Sequence, residues 1–319
     1  MKNRSEWIWW NGNLVPSSEA NVHVSTHALH YGSSVFEGIR AYETPEGPAL
    51  LGLAPHLKRF AYSSKVARLK LDFDQKTLAS AIGQTIDKNG HKSCYVRPLI
   101  FRGPGTFSLD ARSAPTEVIV MTWEWGEYLG NDALENGVDA MVSSWRRPAP
   151  DTFPALAKIG GQYINSQLAS MEAVDNGFHE AICLDVYGYV SEGPGENIFM
   201  VRDGTLFTPP MSASILAGVN RAYVMQLAQH LGLEVREENL TREMLYLCDE
   251  LFFTGTAVEV TPVRSVDRMP VGSGQPGDIT RLIQKNFFEI ITGRQPDHLG
   301  WLTLVQDLVS GVELTERVA

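Results

Sequence analysis

The chain has 319 residues, enough at ~150 residues per domain for two domains that each bury a core without disulfide or metal staples. It is 44% hydrophobic and 20% charged, with 28 Gly and 17 Pro, which excludes the low-complexity and disordered classes. Lys and Arg number 27 against 37 Asp and Glu; the net charge of −10 excludes a broad nucleic-acid or anionic-membrane surface but leaves room for one small anion in a local cluster of cations.

At the start, the cations of Met1-Lys2-Asn3-Arg4 are followed by Ser5-Glu6, and Trp7-Ile8-Trp9-Trp10 is cut by Asn11-Gly12 before a signal-peptide core can form. No apolar run approaches the ~20 residues that span a bilayer. Cys94, Cys183 and Cys248 lack C-x-x-C spacing, so reduced thiols in a cytoplasmic protein are expected. His23, His27 and His30 have the i, i+4, i+7 spacing that aligns three metal ligands on a helix. Val22-His23-Val24 reads as extended, however, and Ser25-Thr26 disfavours a helix interior, so no metal site is expected. A helix is predicted over 56–70, with Leu57, Phe60, Ala61 and Ser64 on one face behind Pro55 and Arg59 reading outward. A second runs over 77–88 with Leu78, Ile82 and Ile86, and stops at Asn89-Gly90. The strand over 94–101 puts Tyr95, Arg97, Leu99 and Phe101 on one face, and Pro98 points to an edge or a strand end. Another strand follows over 118–123.

Beyond it, strands are expected over 138–144, 181–184, 189–191, 197–201 and 205–207, the last two joined by a tight Asp203-Gly204 hairpin. Helices follow over 219–231, closed by Gly232, and over 279–292, between Asp278 and Gly293. The polar tail from Gln306 is expected to fray. Interleaved elements without a repeat period predict an α/β (α+β) two-domain enzyme. The division is a smaller N-terminal α/β domain over 1–124, an interdomain loop over 125–134 and a larger C-terminal domain over 135–319.

Lys158 is the one cation in 148–164, with Gly160-Gly161 just after it. Desolvation favours the neutral amine that Schiff-base chemistry needs; the ordinary alternative is a loop lysine reaching solvent. In Val190-Ser191-Glu192-Gly193-Pro194-Gly195-Glu196-Asn197 a strand ends at Glu192, where a fixed carboxylate can hold a cationic ring nitrogen, against the alternative of a solvated turn. Leu216-Ala217-Gly218-Val219-Asn220-Arg221 opens a helix whose first amides form an anion site, unless Asn220 is simply its N-cap. Thr254-Gly255-Thr256-Ala257 ends another strand with exposed amides. Neither Gly103-Pro104-Gly105 nor Gly193-Pro194-Gly195 completes G-x-G-x-x-G, which argues against a nicotinamide cofactor.

Together, the segments 31–40 (Tyr-Gly-Ser-Ser-Val-Phe-Glu-Gly-Ile-Arg), Tyr95-Val96-Arg97-Pro98, Lys158-Ile159-Gly160-Gly161-Gln162-Tyr163, 191–199 and 216–221 resemble the branched-chain aminotransferases, pyridoxal-phosphate enzymes of fold type IV, from about Ile8 to Trp301. The resemblance implies that Lys158 binds pyridoxal 5'-phosphate covalently and moves the substrate proton. Glu192 would pair with the ring nitrogen and Tyr163 with the ring hydroxyl, in a C-terminal domain that binds the cofactor. Arg59, Val219, Asn220 and Thr256 would hold the phosphate. Phe36, Tyr128 and Ala257 would line an apolar pocket, Tyr95 and Arg97 would orient carboxylates, and Tyr31 would reach in from a partner subunit of a homodimer or higher homo-oligomer. Implied is ping-pong transamination of Leu, Ile or Val with 2-oxoglutarate, with no nucleic-acid or membrane partner.

Two departures from the family stand out. Asn220 occupies a position where threonine is frequent, and 103–112, with Phe107, Leu109 and Arg112, differs from the family's small glycine-rich loop and bears on which amino acid is preferred. The alternatives within the fold are D-amino-acid or amine transamination and aminodeoxychorismate lyase. Outside it, the alternative is a hydrolase built on the three histidines. Tyr95-Val96-Arg97 and Phe36-Glu37-Gly38 favour the branched-chain enzymes.

Overall fold

The computed structural model describes residues 5–125, 129 and 132–310. The chain forms two compact units that are not consecutive stretches. One gathers Met1–Gly126, Ala157–Gly161 and Glu289–Ala319; the other comprises Glu127–Leu156 and Gln162–Phe288.

The first unit is built on an eight-stranded antiparallel sheet. Its strands are β1 (Trp7–Trp10), β2 (Asn13–Pro16), β3 (Ser34–Phe36), β4 (Ile39–Thr44), β5 (Gly47–Leu51), β6 (Cys94–Arg102), β7 (Thr116–Trp123) and the C-terminal Leu302–Leu304. In space the order is Leu302–Leu304, β5, β4, β6, β7, β1, β2, and β3 extends β4's row along β6. Asn11 and Gly12, both with positive φ, make the two-residue turn that pairs Trp10 with Asn13.

Pro98 corrects an expectation, because it stands mid-strand in the central β6 rather than at an edge or end. Its carbonyl accepts from Glu37 N at 2.9 Å, so its nitrogen faces the same neighbour at Glu37–Gly38, where β3 has ended and β4 has not begun. The missing N–H therefore falls in a gap of the ladder between β3 and β4.

Helices α1 (His27–Tyr31), α2 (Leu53–Val66) and α3 (Gln75–Asn89) complete this part. α2 begins earlier than predicted, and Pro55 sits in its first turn, where the lack of an N–H costs nothing. Asp74 caps α3 by accepting from Thr77 N at 2.7 Å, Gly90 ends it in the left-handed region, and Leu78, Ile82 and Ile86 are buried as their spacing predicts. At the C-terminus, Trp301 is buried and its carbonyl accepts from Gly52 N at 2.8 Å. The expected fraying from Gln306 does not hold for the described residues: Val305–Ser310 is helical, with Val305 and Leu308 buried. Leu308 Cβ lies only 2.7 Å from where a Cβ on Gly83 of α3 would stand.

The second unit holds a nine-stranded mixed sheet. Its strands are β8 (Val138–Val142), β9 (Glu180–Leu184), β10 (Val190–Glu192), β11 (Asn197–Arg202), β12 (Thr205–Thr208), β13 (Val235–Glu237), β14 (Glu250–Gly255), β15 (Glu259–Val266) and β16 (Met269–Pro270). The order is β10-β9-β8-β15-β14-β11-β12-β13, with β16 on β15. Asp203 and Gly204 both have positive φ in the predicted hairpin, which pairs Arg202 with Thr205. Its helices are α4 (Ala133–Asn136), α5 (Tyr163–Asp175), α6 (Val219–His230), α7 (Met244–Leu247) and α8 (Asp278–Ile291). α5 was not legible in the sequence because its buried face is Ser166, Ala169 and Ala173, which carry no strong apolar period. Phe199 of β11 stacks on Phe252 of β14 at 5.2 Å in the core.

Gly83→Ala decides between two effects. Helix propensity favours alanine by roughly 1 kcal/mol, but the methyl would collide with Leu308 Cβ, which is no flexible tip. We expect a net loss of about 1–3 kcal/mol, read as a lower urea midpoint; a raised midpoint would show that the C-terminal helix does not hold Leu308 there.

Candidate active site

In the first unit, 157–161 runs against β3 and α2. Lys158 N donates to Ser63 Oγ at 3.0 Å, its carbonyl accepts from Phe36 N at 3.2 Å, and Ile159 bridges to Val35. The glycines make this approach possible: a Cβ on Gly160 would collide with Ser34 Oγ, and one on Gly32, which has φ +64°, would come 2.8 Å from Gly161 Cα. Lys158 is therefore buried, with Nζ 5.0 Å from the Phe36 ring centre. Burial, helped by the nearby Arg59 charge and opposed by Glu37, pushes its ammonium down to about 8. The alternative of a lysine reaching solvent from a loop is excluded.

Glu37, fully buried, receives a bidentate Arg59 guanidinium, Nε to Oε1 at 2.7 Å and Nη2 to Oε2 at 2.8 Å. His56 Nδ1 lies 2.8 Å from Oε2. Burial by itself would raise the Glu37 carboxyl, but Arg59 and then His56 hold it far below the usual range. Burial pushes His56 down despite Glu37, so the imidazole is neutral and donates through Nδ1. Arg59 thus does not project freely from α2: two of its nitrogens serve Glu37. The signal for this cluster was the one-turn spacing of His56 and Arg59 on a helix after an isolated acid.

On β6, Tyr95 and Arg97 share a face as predicted, with Arg97 Nη2 3.4 Å from the Tyr95 hydroxyl. Arg97 Cζ stands 4.4 Å from the Phe36 ring centre and 5.6 Å from Trp123, and Tyr95 packs on Trp123 and Trp125 at 4.9 and 4.6 Å. Nothing in the sequence singles out these two tryptophans. Tyr31, at the end of α1 and exposed, donates to Phe107 O at 3.1 Å, which sets the 103–112 loop beside it. Arg112 closes on Asp110 within that loop.

The three histidines are engaged separately. His23 bonds Ser25 Oγ, His27 bonds Ser33 Oγ and Ser108 O, and His30 bonds Val24 O. Among the described residues no cluster of three metal-ligating side chains occurs.

In the second unit, the turn after β10 is buried rather than solvated. Glu192 Oε1 lies 2.8 Å from Arg147 Nη2, and Oε2 accepts from Asn197 Nδ2 and Leu216 N, each at 2.9 Å. Tyr163 is the first residue of α5. The N-cap of α6 is Gly218, not Asn220. Asn220 lies in the first turn, donates through Nδ2 to Gly255 O at 3.0 Å, and holds a buried Oδ1 with no hydrogen-bond partner. A Cβ on Gly218 would strike Asn197 Oδ1, so the chain can pass there only as glycine. Thr256 and Ala257 follow directly on β14. Tyr128 lies outside the described residues.

These residue types fit a phosphorylated aldehyde cofactor: in the first unit Lys158 is a buried amine whose ammonium is pushed down to about 8, and in the second unit Glu192 is a fixed, buried carboxylate and Asn220 holds an orphaned amide oxygen in the first turn of α6. The family model for amino-transferase class IV matches residues 34–266. The chain belongs to that family. It is 48% identical to the branched-chain-amino-acid aminotransferase of Escherichia coli (strain K12) over 95% of this chain and 98% of that one, and 40% identical to that of Pseudomonas aeruginosa over 96% and 99%. The crystal structure of the Escherichia coli enzyme superposes with a TM-score of 0.93, at 49% identity and covering 94% of this chain and 99% of that one. The branched-chain aminotransferase of the thermophilic archaeon Thermoproteus uzoniensis, crystallised with norvaline, gives 0.90, at 40% identity and the same coverage.

Because the Glu37 charge supports the Lys158 ammonium, Glu37→Gln should lower the amine's titration midpoint below its value of about 8. The pH dependence of Lys158 acylation, followed by mass spectrometry, measures this; an unmoved or higher midpoint would contradict the assigned electrostatics.

Proposed function

We propose that the chain transfers the amino group of branched-chain L-amino acids (Leu, Ile, Val) to 2-oxoglutarate with pyridoxal 5'-phosphate as cofactor, giving branched-chain 2-oxo acids and L-glutamate. The observation that carries the reading is Lys158, buried and held near neutrality beside Phe36, in a chain similar almost end to end to branched-chain aminotransferases. When bound, the cofactor supplies an electron sink for the negative charge that develops at the substrate Cα.

Lys158 Nζ would bind the cofactor aldehyde and would move the proton at the substrate Cα. Glu192, bonded by Arg147, Asn197 and Leu216 N, would accept from the cofactor's ring nitrogen. Tyr163 would hydrogen-bond the ring oxygen. By the family resemblance, Arg59, Thr256 and the first-turn amides of Val219 and Asn220 would hold the phosphate, which would let a chain of net charge −10 bind an anion through local donors. Phe36 would give the apolar wall, with Tyr128 and Ala257 assigned to it by the family resemblance alone. Arg97, held between Phe36 and Trp123, with Tyr95 supplies the cation and hydroxyl for carboxylates, so one pocket accepts both an aliphatic side chain and the second carboxylate of 2-oxoglutarate.

We place the enzyme in the cytoplasm as a homodimer or higher homo-oligomer, with Tyr31 entering the partner's site. The three buried free thiols and the exposure of Leu29, Tyr31, Phe107 and Leu109 support this reading. Among the described residues no helix is long and apolar enough to cross a membrane. The Phe107–Leu109 segment, unlike the small loop of its relatives, bears on which amino acid is preferred.

The purified protein should be yellow and bleach with borohydride, and Lys158→Ala should lose both properties. With 2-oxoglutarate, L-Leu, L-Ile and L-Val should turn over and their D-isomers should not; preference for D-amino acids or simple amines would overturn the substrate assignment. Glu192→Gln should lower kcat by ~100-fold or more with cofactor still bound; near-normal turnover would remove Glu192 from its role.

A further inference from the structure

Arg147 has no place in the resemblance, yet it is buried in the second unit against the carboxylate that the proposed function sets on the ring nitrogen. Its backbone N–H donates to Leu184 O of β9 at 2.8 Å, which fixes the chain beyond β8 next to β9, the neighbour of β10. From there Nη2 reaches Glu192 Oε1 at 2.8 Å, while Nη1 lies 3.3 Å from Ser166 Oγ and 3.5 Å from Asn165 Oδ1, both in the first turn of α5 just after Tyr163. Nε is buried without a hydrogen-bond partner, so the guanidinium gives up one donor to keep its others aimed.

We infer that Arg147 is a positioning residue for transamination: it holds Glu192 ionised and aligned and ties it to the start of α5, where Tyr163 sits. This rests on the proposed roles of Glu192 and Tyr163. Arg147 brings a positive charge directly onto the Glu192 carboxylate. Asn197 and Leu216 N are neutral donors. Burial pushes the Cys183 thiol of β9 up to about 12. Burial also raises the neighbouring acids, Glu180 to about 7 and Glu196 well above the usual carboxylate range because Glu180 adds to the effect, so they compete for the Arg147 charge less than two ordinary carboxylates would. A buried carboxylate deprived of its cation protonates, and a protonated Glu192 cannot serve a ring cation.

The test compares full-length wild type, Arg147→Met, Arg147→Lys and Arg147→Met/Glu192→Gln, with and without added pyridoxal phosphate. In Arg147→Met the folded-state pKa of Glu192 rises above its unfolded value, so stability present at low pH is lost as pH rises. The thermal midpoint should therefore fall further below wild type at pH 8 than at pH 5, and adding Glu192→Gln should remove that pH-dependent part. With cofactor, kcat should drop ~10-fold or more while KM for the amino acid changes little, and the acid limb of the kcat profile should move to higher pH. Arg147→Lys, which keeps the charge but not the fork, should retain the wild-type pH dependence of the midpoint with a lowered kcat; it decides the matter if Arg147→Met does not fold. A deficit equal at all pH values and unrelieved by Glu192→Gln, or a wild-type kcat profile in either single variant, overturns the inference. If the wild type neither binds pyridoxal phosphate nor transaminates, the proposed function fails, and the cofactor-free melting series still decides whether Arg147 holds Glu192 ionised.

Discussion

The bidentate pair of Glu37 with Arg59 is the interaction on which the chemistry of the first unit depends. A lysine buried beside a carboxylate of undivided charge would be locked as an ammonium. Here Arg59 shares the Glu37 charge and adds its own repulsion, so burial prevails and the Lys158 ammonium is destabilised even though Glu37 favours it. His56, neutral on the same carboxylate, completes the set of donors without adding a charge. The break between β3 and β4 has the same centre: it leaves Glu37 N to bond Pro98 O and lets a proline stand in a central strand.

The second unit solves the opposite problem with the same chemistry. Glu192 sits in a buried turn with one guanidinium and two neutral donors on its carboxylate. Glu196, four residues on, has no such set, and burial together with Glu180 raises it instead. Two glutamates of one short motif thus meet different partners: Glu192 a guanidinium at 2.8 Å, Glu196 the neighbouring acid Glu180.

The local motifs were legible because their signal is short-range. Glycine pairs that admit close backbone approach, a strand alternation that sets Tyr95 and Arg97 on one face, an Asp-Gly hairpin and glycine helix stops all act within a few residues. Large apolar residues at helical spacing revealed α3 and α6, whereas α5, with its face of Ser and Ala, left no such trace. Asn220 shows the limit of a residue-type rule: it is a good capping residue, yet Gly218 takes the cap because only glycine passes Asn197, and the asparagine turns to Gly255.

By itself, then, the sequence determined the mixed α/β class, most elements with strong periodicity, and the identity of the lysine and the strand-end glutamate, together with their kinship to the class IV aminotransferases. Only the tertiary structure decided which arginine meets which carboxylate, that the glycine-proline-glycine turn is buried, and that Trp123 and Trp125 flank Tyr95. The reason is physical. Propensity and periodicity record a residue's near neighbours, while the proton affinity of a buried group is set by charges that strand order brings together from distant parts of the chain.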